Sequence, residues 1–119
     1  MDLLNRIRQQ GRAQELRRLE VPEWGEVTAE GVNDPAQPLV AWYRAVTLED
    51  QSFVHQAANG DRWKMAAHLV ALKLLDADGK RLFRQIDATV LMAEAQFDVV
   101  TRLSIAMLGG LTLEQAVKN

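Results

Sequence analysis

The chain has 119 residues, of which 48% are hydrophobic and 25% charged, and a formal net charge of −2. That length suits one domain able to withdraw about two thirds of its unfolded surface from water, and the composition excludes disorder over most of the sequence. There is no cysteine, so a disulfide framework and any thiolate metal or redox site are excluded.

Residues 1–20 hold Arg6, Arg8, Arg12, Arg17 and Arg18 against Asp2, Glu15 and Glu20, a net +2 that leaves −4 for the remainder. Leu3, Leu4, Ile7, Ala13, Leu16 and Leu19 recur at rough helical spacing, with Gly11 weakening the middle, and predict a helix over 3–19. Such a segment is either a basic arm for an acidic partner or nucleic acid, or a solvated helix kept soluble by its arginines. Alone it is marginal in water and needs a docking surface to stay ordered. Leucines alternating with Arg and Gln leave no uninterrupted apolar run, so no secretory leader is expected.

Pro22 disfavours helix at the residue before it, which predicts an extended segment over 21–27. Gly31, Asn33, Asp34, Pro35 and Pro38 mark a loop. Residues 39–46 are rich in β-formers, with Val40, Trp42, Arg44 and Val46 on one face and Leu39, Ala41, Tyr43 and Ala45 on the other; a hairpin with 21–27 is the preferred reading, with a helix opening after Pro38 as its competitor. Thr47 and Asp50 form a capping box opening a helix that stops at Asn59-Gly60. Asp61 caps the next helix, whose Trp63, Ala66, Ala67, Val70 and Leu74 make it the expected centre of the core.

The run Asp76-Ala-Asp78-Gly79-Lys80-Arg-Leu82-Phe83 is a turn. Gly79 supplies a positive φ, the aspartates accept local backbone bonds, and Leu82 and Phe83 return the chain to the core. Residues 88–108 then form one helix about 30 Å long; Glu94, Asp98 and Arg102 recur along it, so it does not span a membrane. Gly109-Gly110 ends it, and Thr112 starts a short terminal helix through Val117. The elements predict an α+β, predominantly α-helical fold: a bundle of about four to five helices with an N-terminal β-hairpin, one domain over 1–119, with 1–19 as helix or arm.

Reactive constellations are missing from the sequence. His55 and His68 have no ligand-type residue at metal spacing. Asp76-x-Asp78-Gly79 does not fit a calcium loop, since its glycine comes fourth and Lys80 falls on a ligand position. No tuned carboxylate pair, nucleophile elbow or phosphate loop occurs, so no enzyme activity and no cofactor are expected. Trp63 is expected in the core, and Trp24 serves either as core or as a partner anchor.

Val21-Pro-Glu-Trp-Gly25 together with the Asp76–Phe83 run resembles the small tail assembly chaperones of lambda-like siphophages. In that family an extended Val-Pro-Glu-Trp-Gly segment precedes a second strand, a Leu-x-x-x-Glu helix, an Ala/Leu/Val-rich helix, an Asp-x-Asp-Gly-Lys-x-Leu-Phe turn and closing helices. Residues 20–119 carry these pieces in order, with a longer loop over 26–38 and a Leu-Gly-Gly-Leu stretch at 108–111 as departures. The resemblance implies a non-catalytic protein of the host cell cytoplasm. Such a protein binds the tape measure protein, keeps it soluble, recruits tail tube protein, self-associates as a homo-oligomer, engages neither nucleic acid nor membrane, and is lost from the mature virion. Partner contacts are then expected on the 21–24 edge and the exposed side of the final helices, at Val21, Trp24, Phe97, Val100 and Met107. The alternative from another class is a small DNA-binding transcriptional regulator, suggested by short helices and the arginine-rich N-terminus; it predicts salt-sensitive duplex binding.

Overall fold

The computed structural model describes residues 2–12, 15–34 and 36–109. Helix α1 spans Leu3–Arg12; strands β1 (Arg17–Val21) and β2 (Leu39–Tyr43) pair antiparallel; α2 (Leu48–Ala57), α3 (Arg62–Lys73), α4 (Ala88–Glu94) and α5 (Phe97–Met107) follow. The predicted class, small α+β and mostly helical with a hairpin near the N-terminus, is what the chain adopts.

The hairpin register is earlier than expected. Arg17 lies opposite Tyr43 and Val21 opposite Leu39, so residues 17–19 of the predicted 3–19 helix are strand. Pro22–Trp24 is a single 3-10 turn rather than extended edge, with Pro22 at its start. The fixed φ of proline suits a first helical position, and its missing N–H ends the ladder there. Alternation sends Leu19, Val21, Leu39, Ala41 and Tyr43 inward; Val21 and Ala41 are fully buried, while Arg18 and Glu20 face out as an ion pair at 2.9 Å.

The 26–38 loop is laced to itself. Glu26 N–H donates to the Gln37 carbonyl and Asp34 N–H to the Glu26 carbonyl, both at 2.9 Å. Gly25 is required here because a Cβ would lie 2.0 Å from the Gln37 carbonyl oxygen.

Local chemistry places the next boundaries where the sequence predicts them. Thr47 and Asp50 form the reciprocal capping box of α2, Asn59 and Gly60 take positive φ after it, and the Asp61 carboxylate accepts from Trp63 and Lys64 N–H to open α3. Asp50 also meets Lys73 Nζ at 2.9 Å, tying the start of α2 to the end of α3. Burial pushes the Asp50 carboxyl up, but the Thr47 backbone N–H and Lys73 outweigh it and hold it below its ordinary value.

Helix α3 is central. Met65, Ala66, Ala67, Leu69, Val70 and Ala71 are buried against α2, α4 and α5. Trp63 is not: it is 61% exposed. The first turn of α3 overhangs its buried stretch, so helical spacing alone places Trp63 on a stripe that has no roof at that end.

The predicted 88–108 helix is two helices, broken at Ala95-Gln96, whose ψ values of 148° and 132° are extended. Neither residue is a helix breaker; the break is tertiary. It lets both Leu91 on α4 and Val99, Leu103 and Met107 on α5 reach α3 and the sheet, which one straight rod cannot do. Tyr43 Oη donates to the Ala106 carbonyl at 3.2 Å, fastening β2 to α5. Gly109 takes φ 71° after the helix. The terminal helix predicted from Thr112 lies outside the described residues.

Candidate interaction surface

The two segments that carry the family resemblance meet in space. Trp24 stands edge-on to Phe83, ring centroids 6.0 Å apart at 81°, a favourable aromatic arrangement. In the 76–83 turn both side-chain acceptor bonds come from Asp76, whose Oδ1 takes Asp78 N–H and Lys80 N–H at 2.9 Å each. Gly79 has φ 81°, and a Cβ on it would approach Arg44 Nη2 to 3.0 Å. Leu75 exchanges backbone bonds with Trp42, at 2.7 and 2.9 Å, and bridges to Arg81. Phe83 packs on the core, whereas Leu82 stays 39% exposed. Asp76, Gly79 and Phe83 therefore act as a clasp; Asp78 and Lys80 contribute their backbones to it, and both are exposed.

A second tie joins the 22–24 turn to α5. Arg102 donates to both carboxylate oxygens of Glu23, at 2.7 and 2.9 Å, the bidentate geometry suited to guanidinium and carboxylate. Those bonds, with help from the local backbone, hold the Glu23 carboxyl at about 2. The pair is at the surface, so its stabilising effect is small and screened by salt.

Five residues were expected to touch a partner, and the fold separates them. Val21, Val100 and Met107 are core, at 0%, 6% and 2% exposure, although Val100 still lines the groove beside Phe97. The reason is that Val21 closes the sheet face, while Val100 and Met107 lie on the inner stripe of α5. Trp24 is half-buried. Phe97 is 63% exposed.

Phe97 does not stand alone. Its ring is 5.3 Å from that of Trp63, with the Arg62 guanidinium 5.6 Å from the indole centroid on α3. Met92 of α4 forms a third wall, and Ala66 and Ala67 floor a groove of about 230 Å³ between the three helices. Each wall has a local cause: Trp63 sits in the Asp61-capped first turn of α3, and Phe97 is the first residue of α5, brought beside it by the break at Ala95-Gln96. Lys64 and Thr101 supply the polar groups of the lining. A large apolar surface with a small-residue floor can seat a ridge of side chains from another helix. The sequence led to the expectation of Phe97 on an exposed side, where it lies, and of Trp63 in the core, where it does not, because nothing local marks where a helix outruns its neighbours.

Elsewhere, His68 Nδ1 meets Gln85 Nε2 at 3.2 Å. Burial, with Lys64 nearby, keeps its imidazole below the ordinary value and favours the neutral ring. Among the described residues no group of three or more His, Asp or Glu could hold a metal ion, and no helix is long and apolar enough to cross a membrane. No family model, curated protein or solved structure matches the chain.

Proposed function

We propose that this chain is a tail assembly chaperone of the lambda-like siphophage kind, acting in the host cytoplasm. It binds the long helical tape measure protein through the Trp63–Phe97 groove, keeps it soluble, and presents it to tail tube subunits. The resemblance over residues 21–25 and 76–83 supplies the identity of the client. The observation that carries the binding mode is the pair of exposed aromatic rings, 5.3 Å apart, over an alanine floor. A helix laid there by its apolar face would bury both rings and remove the largest apolar groups that the described part of the helical body leaves in water. Each such contact is small, and a long client offers many of them, so several copies bound along one client gain strength by avidity.

The test is co-expression with a candidate tape measure protein of a lambda-like siphophage, followed by co-purification and light scattering. Trp63→Ala and Phe97→Ala, each still folded by circular dichroism, should lower recovery of client by about tenfold or more, as loss of an aromatic anchor does at interfaces. Full recovery with both variants would remove the groove from the reading. Salt-sensitive binding to duplex DNA in place of client binding would favour the regulator alternative.

A further inference from the structure

Helix α1 presents an apolar stripe to water. Asp2 caps it, its Oδ1 accepting from Asn5 N–H at 2.8 Å, and every side chain from Asp2 to Gln9 is exposed. Leu3, Leu4 and Ile7 are 66%, 64% and 54% exposed. At about 100° per residue these three share an arc of roughly 100°, and Arg6 and Arg8 lie roughly 60° and 40° beyond its two edges. Asn5 and Gln9 take the opposite side. From Leu3 to Arg12 the sequence has three arginines and no acidic residue. A helix this short has little stability of its own in water, so the stripe needs a surface.

We infer that α1 is an interfacial anchor for anionic phospholipid. It lies flat on a bilayer surface with Leu3, Leu4 and Ile7 at the acyl boundary and the Arg6 and Arg8 guanidiniums among the lipid phosphates. A narrow aliphatic stripe edged on both sides by arginine suits the headgroup layer, because a long cationic side chain buries its stem beside the stripe and lifts its head to phosphate. The chain's own described surface offers no such match. Three of its grooves have one charged lining residue each, Lys64, Glu94 and Arg17, and none sets a pair of acids against two arginines. Charge also fixes which side lands: residues 1–20 carry net +2 and the rest of the chain −4, so an anionic surface draws α1 in and holds the body off. Ten residues make about 15 Å of helix, enough to rest on a membrane and too little to cross it. The family resemblance runs over residues 20–119 and α1 lies outside it, so the expectation of no membrane contact does not reach this helix. The anchor leaves Trp63 and Phe97 free, and its test is separate from that of client binding.

The experiment is flotation of the full chain with vesicles of phosphatidylcholine alone and of phosphatidylcholine mixed with phosphatidylglycerol. The chain should float with the mixed vesicles, stay behind with pure phosphatidylcholine, and be released as salt rises. Ile7→Glu, at an exposed position, should lower partitioning by about tenfold or more, as should Arg6→Glu combined with Arg8→Glu. Arg6→Lys with Arg8→Lys should keep most of it, and Trp63→Ala or Phe97→Ala should leave it unchanged. A nitroxide at position 7 should be relaxed by oxygen dissolved in the bilayer and shielded from an aqueous nickel chelate once mixed vesicles are present, whereas one at position 5 stays open to the chelate. The inference is overturned if the mixed vesicles bind no chain, if pure phosphatidylcholine binds it equally well, or if Ile7→Glu partitions as wild type does. It is equally overturned if the label at position 7 is shielded before vesicles are added, which gives the stripe to a protein surface, or if duplex DNA captures the chain and vesicles do not.

Discussion

The clasp at residues 76–83 and the groove between Trp63 and Phe97 lie at opposite ends of α3, and their side chains answer to different partners. In the clasp, Asp76 has two backbone donors, Gly79 has the left-handed backbone and Arg44 above it, and Phe83 has Trp24. The fold accounts for each of these residues. In the groove, two of the largest apolar side chains in the chain touch each other and water, at a cost to solubility that the fold does not recover. Residues explained from within stabilise; residues left unexplained point outward, and that contrast is the basis for assigning function to the groove.

The contrast can be broken most directly at the clasp side. Leu74, which follows α3 and is fully buried, should lose about 2–5 kcal/mol on truncation to alanine, measured by urea unfolding. Asp76→Ala removes the acceptor of two backbone bonds and should cost about 1–2 kcal/mol. Trp63→Ala or Phe97→Ala should change stability by less than about 1 kcal/mol, the scale of one exposed aromatic pair, while strongly reducing client capture. A groove variant as damaging to folding as Leu74→Ala would erase the distinction. The smallest effect is expected at Glu23→Gln. Because the folded carboxyl sits at about 2, below its ordinary 4.5, the ion pair adds stability above pH 4.5, and that share is lost as pH falls toward 2. Melting curves of wild type and variant should therefore differ slightly at pH 7 and low salt, converge in high salt, and converge again near pH 2.

What could be read from sequence divides along the range of the interaction involved. Thr47 with Asp50, Asp61, and Asn59-Gly60 mark boundaries by contacts within four residues, and the structure places them there. The hairpin register depends on which distant segment Leu39 meets, and β-forming composition alone does not choose between residues 17–21 and 21–27. The break at Ala95-Gln96 carries no glycine or proline signal, because packing of two short helices on α3 overrides a local preference for one long helix. The clasp was legible for the same local reason as the caps, with Asp76 taking both bonds expected of two aspartates. Of the residues expected at a partner surface, Phe97 is exposed whereas Val21, Val100 and Met107 are buried, since apolar periodicity marks a face without saying whether another element covers it.

The short bridge from Leu75 to Trp42 has a consequence for crowding. A two-stranded ribbon has two open margins, each a template onto which a stray chain can add. By lacing itself to β2, the segment after α3 closes one of them. The other margin is β1, where Arg17, Arg18 and Glu20 are exposed, and charges along a rim discourage recruitment of further strands. The chain is thereby kept from polymerising through its own sheet.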